Sequence, residues 1–355
     1  MLRIHRCEGD RLVARTVPGI GPGLGSGPGL DPATASAPVS VANCSDLRQS
    51  DGPVWLDLFN PSAEEDACVE QALGLSLPSR EEMQEIEMSA RLYNEGGAEF
   101  MTITAIAMLD SDEPVTTPIT FVLKGASLAT IRFAEPAAFR SVVARAQRPG
   151  AVACATGEQV MLSLLEALID RMADTLERVA ADIDAISRSV FRHKSKNGRP
   201  TKSRDLAATI EQIGSNGDLL TKLRESLLSV SRLLSYHSAV EATDKRTLKE
   251  ARARIKSLQR DAVALSDQSN FLANKTNFLL DATLGLINLE QNQIIKIFSI
   301  VAVVLMPPTL VASIYGMNFA HMPELNWTLG YPTALLVMAV AAAVPYLWFK
   351  RSGWL

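Results

Sequence analysis

The sequence is short of the residues that usually announce chemistry. Its 355 residues include only four cysteines and four histidines. The cysteines (Cys7, Cys44, Cys68, Cys154) show no CxxC spacing, so they suggest neither a zinc site nor a disulfide framework, and unpaired thiols suit a reducing compartment. The histidines (His5, His193, His237, His321) are dispersed, which speaks against a His-rich metal cluster. A basic excess is missing too: 35 Lys and Arg stand against 39 Asp and Glu, a formal net charge of −4. Nucleic-acid binders are usually distinctly basic, so a nucleic-acid partner is not expected. We find no phosphate-binding loop, nucleophile elbow or HExxH, and no acid–base pair on one element. An enzyme is therefore the least supported class, and no organic cofactor is expected. The N-terminal MLRIHRCEGDRL has charges but no apolar core segment, unlike a signal peptide.

What the chain has in quantity is apolar surface: 47% hydrophobic residues against 21% charged. The excess sits at the C-terminal end. Ile297–Tyr315 (IFSIVAVVLMPPTLVASIY) and Gly330–Phe349 (GYPTALLVMAVAAAVPYLWF) carry no charge. Each is long enough to cross a hydrocarbon core of about 30 Å as a helix. A pair of buried core helices is the competing reading, but adjacent apolar stretches this long are rare in soluble cores. The connector between them, 316–329, lacks Lys and Arg, whereas Lys296 precedes the first span and Lys350 and Arg351 follow the second. The positive-inside rule then puts both flanks, and both termini, in the cytoplasm.

The rest reads as soluble protein. Short strands are expected around Ile4 and over Leu12–Val17, Val54–Leu58, Phe100–Leu109, Thr117–Val122 and Ser127–Phe133. Ser62-Ala-Glu-Glu is a helix start with acids in its first turn, and Arg80–Ser89 is a further short helical stretch. Residues 18–42 are rich in Gly, Pro, Ala and Ser, a composition that cannot bury a core, and read as a flexible insertion. Residues 1–155 thus suggest a cytoplasmic α/β domain with a mixed sheet. From Thr156 proline nearly disappears, and Leu162, Leu165, Leu168, Ile169, Met172, Leu176, Val179, Ile183 and Ile186 recur at helical steps. A basic turn spans 188–204, a second helix covers about Leu206–Ser235, and a third runs from near Ala242 to Tyr315, about 110 Å at ~1.5 Å per residue. The expected architecture is an α+β membrane protein: the α/β domain, a helical stalk over 156–292, a first transmembrane helix over 293–317, an outer loop over 318–329, a second transmembrane helix over 330–350 and a tail over 351–355.

Two membrane helices cannot enclose a polar path, so a pore needs several copies around an axis. On the first span, Asn292, Ile295, Ser299, Ala302, Met306, Thr309, Ser313 and Gly316 fall on one face at alternating three- and four-residue steps. A pore lining and a small-residue packing seam both have this spacing. Neither span holds a carboxylate. A proton-coupled carrier usually keeps an ionisable group in the membrane, and a site for bare Mg²⁺ would want carboxylates. Amide, hydroxyl and carbonyl groups suit a cation that keeps its water, and Mg²⁺ dehydrates reluctantly.

At the outer end of this span stand Tyr315-Gly316-Met317-Asn318, Phe319 and Met322-Pro323-Glu324-Leu325. With INLEQNQIIKIFS and LMPPTLVAS before them and FKRSGWL after, this resembles the signature of the CorA family of magnesium transporters, strongly over 270–355 and more weakly over 50–270. The resemblance implies a homopentamer with a funnel-shaped cytoplasmic part, in a bacterial inner (plasma) membrane. The first spans would line the pore, with the second spans around them. It makes Gly316, Met317 and Asn318 the outer selectivity ring, the Asn318 amide oxygen accepting hydrogen bonds from the water shell of Mg²⁺; Asn318 also suits a helix C-cap. Asn292 and Thr309 match polar pore stations, and Met306 with Ile295 and Phe298 a hydrophobic constriction. Glu324, the one acid of the outer loop, would concentrate cations at the mouth or is a solvated loop acid. Lys296, Lys350 and Arg351 would form a basic belt at the exit or anchor the spans to membrane lipid. Asp281, a lone acid on the stalk, matches a position that meets an acid of the next subunit. Asp110 or Asp112 is the nearest match, and Mg²⁺ between these carboxylates would clamp neighbouring subunits and close the pore.

The expected function is passage of hydrated Mg²⁺, with Co²⁺ and Ni²⁺ as further cargo of similar hydrated size, gated by cytoplasmic Mg²⁺. A zinc transporter of the same superfamily is the nearest alternative, disfavoured by the MPEL after the Gly-Met-Asn. A membrane-anchored helical scaffold without transport is the alternative from another class.

Overall fold

The computed structural model describes residues 1–8, 11–17, 54–111, 113–148, 155–191, 203–241, 248–317, 327 and 329–354. The insertion at 18–42 and most of the basic turn lie outside them. In chain order the elements are β1 (Leu2–Glu8), β2 (Arg11–Val17), β3 (Trp55–Phe59), α1 (Ala63–Leu73), α2 (Arg80–Met83), α3 (Met88–Arg91), β4 (Leu92–Glu95), β5 (Ala98–Ala107), β6 (Val115–Lys124), β7 (Ser127–Arg132), α4 (Ala137–Ala146), α5 (Gly157–Phe191), α6 (Ser203–Glu241), α7 (Leu248–Tyr315) and α8 (Gly330–Arg351). They divide into two compact units, Met1–Phe191 with Glu211–Asn277, and Arg192–Ile210 with Phe278–Leu355.

The first unit is built on a mixed sheet, order β2-β1-β3-β7-β6-β5-β4, in which only β3 and β7 run parallel. Period-two alternation gives the sheet two faces. Leu56, Leu58, Phe100, Val122, Ala129 and Ile131 turn to one side and pack with Val69 of α1 and Met83 of α2. The α1 start carries the expected capping box: Ser62 Oγ accepts from Glu65 N–H, and Glu65 Oε2 accepts from Ser62 N–H. The other face holds a buried polar chain. Trp55 Nε1 donates to Thr130 Oγ1 (2.9 Å), which donates to Asp57 Oδ1 (2.9 Å). Arg132, fully buried, grips Asp57 with two hydrogen bonds of 2.9 and 2.8 Å and lies between the Phe59 and Phe139 rings. Buried charges persist only when paired and hydrogen-bonded, and this fork geometry meets that requirement.

The stretch at 80–89 is broken into two four-residue helices, α2 and α3. The short strand β4, which holds too few positions to show a period, and helix α4, which starts after Pro136 without a side-chain cap, were missed from the sequence. The cysteines need a correction: Cys68 of α1 is disulfide-bonded, its partner lying outside the described residues. Linear spacing does not reveal which cysteines the fold brings together.

The long helices follow the predicted apolar stripe. Leu162, Leu165, Leu168, Ile169, Met172, Leu176, Val179, Ile183 and Ile186 of α5 are all buried. α6 is longer than expected, and α7 is one helix of 68 residues that contains Pro307 and Pro308. Ser269 Oγ of α7 donates to the Leu220 carbonyl of α6 (3.0 Å), and Arg254 of α7 donates to Ser163 Oγ (3.0 Å) and pairs with Glu166 on α5.

Candidate functional site

Among the described residues two helices are long and apolar enough to cross a membrane, α7 through its C-terminal part and α8, and only 6% of an apolar window in each is buried. Phe298 and Met306 are each 71% exposed. Apolar surface on this scale requires lipid or further protein as cover.

Exposure along α7 is ordered. At about 100° per residue, Asn292, Ile295, Phe298, Ser299, Ala302, Met306, Thr309, Ser313, Gly316 and Met317 fall within an arc of about 120°. Every one of them is exposed. The residues between 296 and 315 that are not exposed are Lys296, Ile300, Val304, Pro307, Pro308 and Val311, and they gather on the far side of the helix. The candidate face is thus exposed along its whole length, and the few residues that this chain covers lie on the other side.

Its hydroxyls share one arrangement. Ser299 Oγ donates to Ile295 O (2.9 Å), Thr309 Oγ1 to Leu305 O (2.8 Å) and Ser313 Oγ to Thr309 O (2.8 Å). With each proton committed to the backbone, the oxygens present lone pairs outward. Such acceptors match the outward-pointing hydrogens of water around a cation. Pro307 and Pro308 have no N–H, so the carbonyls of Val303 and Val304 lose their usual helical donors.

The helix closes at Gly316, whose N–H donates to Ala312 O (2.9 Å). A Cβ there would stand 3.1 Å from that same carbonyl, so a glycine lets the terminus stay close-wound. Asn318, Glu324 and Asp112 lie outside the described residues. Asp281 is exposed on α7. Asp110 follows β5 and pairs with Arg171 and Arg178 of α5, the latter at 3.6 Å; Arg178 also donates to the Leu109 carbonyl (3.3 Å). This pairing was not read from the sequence, where the only signal is two arginines seven residues apart. Among the described residues no group of three or more His, Cys, Asp or Glu could hold a metal ion.

The second feature missed from sequence joins α7, about two thirds of the way along it, to the residues after α8. Lys296 Nζ lies 5.4 Å above the Trp354 ring, which packs on Phe349 at 5.6 Å.

Comparison with known proteins agrees with this layout. The profile of the family described as CorA-like Mg²⁺ transporter protein matches residues 50–351. The chain is 36% identical over 302 residues to the magnesium transport protein CorA of Pasteurella multocida, covering 85% of this chain and 92% of that protein. To the protein of the same name from Salmonella typhimurium strain LT2 it is 37% identical over 303 residues, with the same coverage. Among solved structures, the complete CorA magnesium transporter of Methanocaldococcus jannaschii aligns with a TM-score of 0.68 at 21% identity, over 86% of this chain and 93% of that one. The full-length CmaX protein aligns with a TM-score of 0.60 at 16% identity, over 84% and 87%. These two likenesses concern the fold; the profile match and the sequence identities establish that the chain belongs to the CorA-like Mg²⁺ transporter family.

Proposed function

We propose that this chain transports Mg²⁺ across the bacterial inner membrane, as a homopentamer whose α7 helices line the path and whose α8 helices surround them. The observation that carries the reading is the open face of α7. It is uncovered in the single chain, it presents hydroxyl lone pairs at Ser299, Thr309 and Ser313, and it ends at the Gly316-Met317-Asn318 sequence. Five such faces form a conduit whose walls offer acceptors and no charge, which suits Mg²⁺ with its water shell. Met306, Phe298 and Ile295 narrow it, Asn292 gives a lower polar station, and Asn318 discriminates at the mouth, where Glu324 concentrates cations. Co²⁺ and Ni²⁺ pass by the same hydrated-ion route. Both termini lie on the cytoplasmic side.

In this reading cytoplasmic Mg²⁺ also regulates. Asp281 of one chain and Asp110 (with Asp112) of a neighbour hold the ion through water, relieving carboxylate repulsion and favouring the closed assembly. The arginines beside Asp110 set how readily it is released to a metal. The test of transport is Mg²⁺ uptake by liposomes containing the purified protein, with Zn²⁺ as competing cargo and with and without a proton gradient. Mg²⁺ entry independent of the proton gradient is expected. Entry of Zn²⁺ in preference, or entry of neither ion, overturns the proposal.

A further inference from the structure

Residues 352–354 fold back over the last turn of α8. Past α8, Ser352 N–H donates to Trp348 O (2.9 Å), and Trp354 N–H donates to Phe349 O (3.0 Å). Gly353 between them has φ 70°. A left-handed glycine followed by a bond closing back five residues is the device that turns a chain over its own last helical turn. It sets Trp354 on the buried Phe349, itself edge-on to Trp348 at 5.2 Å, and puts the indole face under the Lys296 ammonium.

Lys296 is the only charged residue between Glu290 and the end of α7. It lies about 100° round the helix from the middle of the open face, next to Asn292, Ile295 and Ser299, which are on it. A four-carbon stem gives its ammonium reach to either side. On the open face, copies of this charge would ring the path and repel a divalent cation, in a setting of low dielectric that strengthens the repulsion. The Trp354 ring offers the ammonium an attractive site, 5.4 Å from the ring centroid, and Lys296 is itself half-buried, on the same side of the helix as the other residues of the span that are not exposed.

We propose that Trp354 is a positioning residue for the ion path: locked by the Gly353 turn, its ring holds the Lys296 ammonium off the conducting face of α7. The proposal rests on the reading that this face lines the path, and it adds the Gly353–Trp354 turn after α8 to the conducting machinery.

The test uses full-length protein in liposomes and the initial rate of Mg²⁺ uptake. Trp354→Leu keeps apolar bulk but removes the π face. Gly353→Ala keeps the ring but strains the turn that places it, since φ there suits glycine alone. Each is expected to slow uptake about tenfold at low ionic strength and less at high salt, because the repulsion is screened. Lys296→Gln in the Trp354→Leu background is expected to restore uptake to within about twofold of wild type, since the misplaced charge is gone. Wild-type rates in both Trp354→Leu and Gly353→Ala overturn the proposal. So does a Trp354→Leu/Lys296→Gln protein as slow as Trp354→Leu, the result of a merely structural role. Absence of Mg²⁺ uptake by the wild-type protein overturns the path reading itself and the proposal with it.

Discussion

His5 shows how the sheet controls a single proton. It is buried, stacks on Trp55 at 4.2 Å, and finds no hydrogen-bond partner for either ring nitrogen among the described residues. Burial lowers its pKa to about 4; Asp57 opposes the shift, while Arg3 and Arg132 reinforce it. Between pH 6.5 and about 4 the unfolded chain takes up a proton here that the folded chain refuses, so stability rises with pH across that window. The contribution lost on acidification is about 3 kcal/mol. His5→Phe keeps the stacking and removes the proton. We expect it to flatten the fall of the denaturation midpoint between pH 6.5 and 4, followed by tryptophan fluorescence, and an unchanged fall would contradict the assignment. At the other end of the chain, Asn318→Ala is expected to abolish Mg²⁺ uptake while the protein still assembles, because alanine removes the acceptor amide and keeps the backbone. Normal flux in an assembled mutant would remove Asn318 from the filter. The Gly316-Met317-Asn318 string that motivates this test is legible in the sequence because its residues are contiguous. The environment of His5 was not, because the residues that bury and stack on it, Trp55 first, lie fifty or more positions away.

Among the elements, the junction between β7 and α5 is the tightest. Gly157 opens α5 with its N–H on Ala126 O (2.7 Å), and a Cβ there would stand 2.5 Å from Leu128 N and 2.7 Å from the Ser127 carbonyl carbon. Those neighbours are backbone of the sheet and cannot swing aside. Gly157→Ala is therefore expected to push α5 off β7 and destabilise the first unit by about 2–4 kcal/mol, measured as a lowered midpoint of denaturation; an unchanged midpoint would mean the junction gives. Helix α5 itself was readable, since a buried stripe repeated over 35 residues leaves a strong 3.6-residue signal. The capping box of α1 was readable for a different reason, its partners being three residues apart. The four-residue elements α2, α3 and β4 hold too few positions to show a period, and α4 was masked by its uncapped start at Pro136.

For the molecule as a whole, control by its own cargo is testable. On the proposed regulation Mg²⁺ protects the first unit from protease and internal Mg²⁺ inhibits uptake, and Asp281→Asn is expected to weaken both effects. If Asp281→Asn and Asp110→Asn proteins keep wild-type dependence in both assays, regulation lies elsewhere. Deletion of 18–42 is expected to leave assembly and flux within a few-fold of wild type, because its Gly/Pro/Ser composition cannot bury a core; loss of the oligomer would identify it as an interface.

Alone, the sequence determined the two long apolar C-terminal helices, the mixed sheet, the helical stripes and the Gly316-Met317-Asn318 signature. Each is written in residues adjacent in the chain or repeating at a short period, and apolar burial or backbone hydrogen bonding converts such patterns directly into structure. Tertiary structure decided which charges meet: Arg132 with Asp57, Asp110 with Arg171 and Arg178, Lys296 over Trp354. It also decided on which side of α7 the few covered residues of the span lie. These pairings join residues from 58 to 75 positions apart, and which charges end up near one another is set by how strands and helices stack, not by any local propensity.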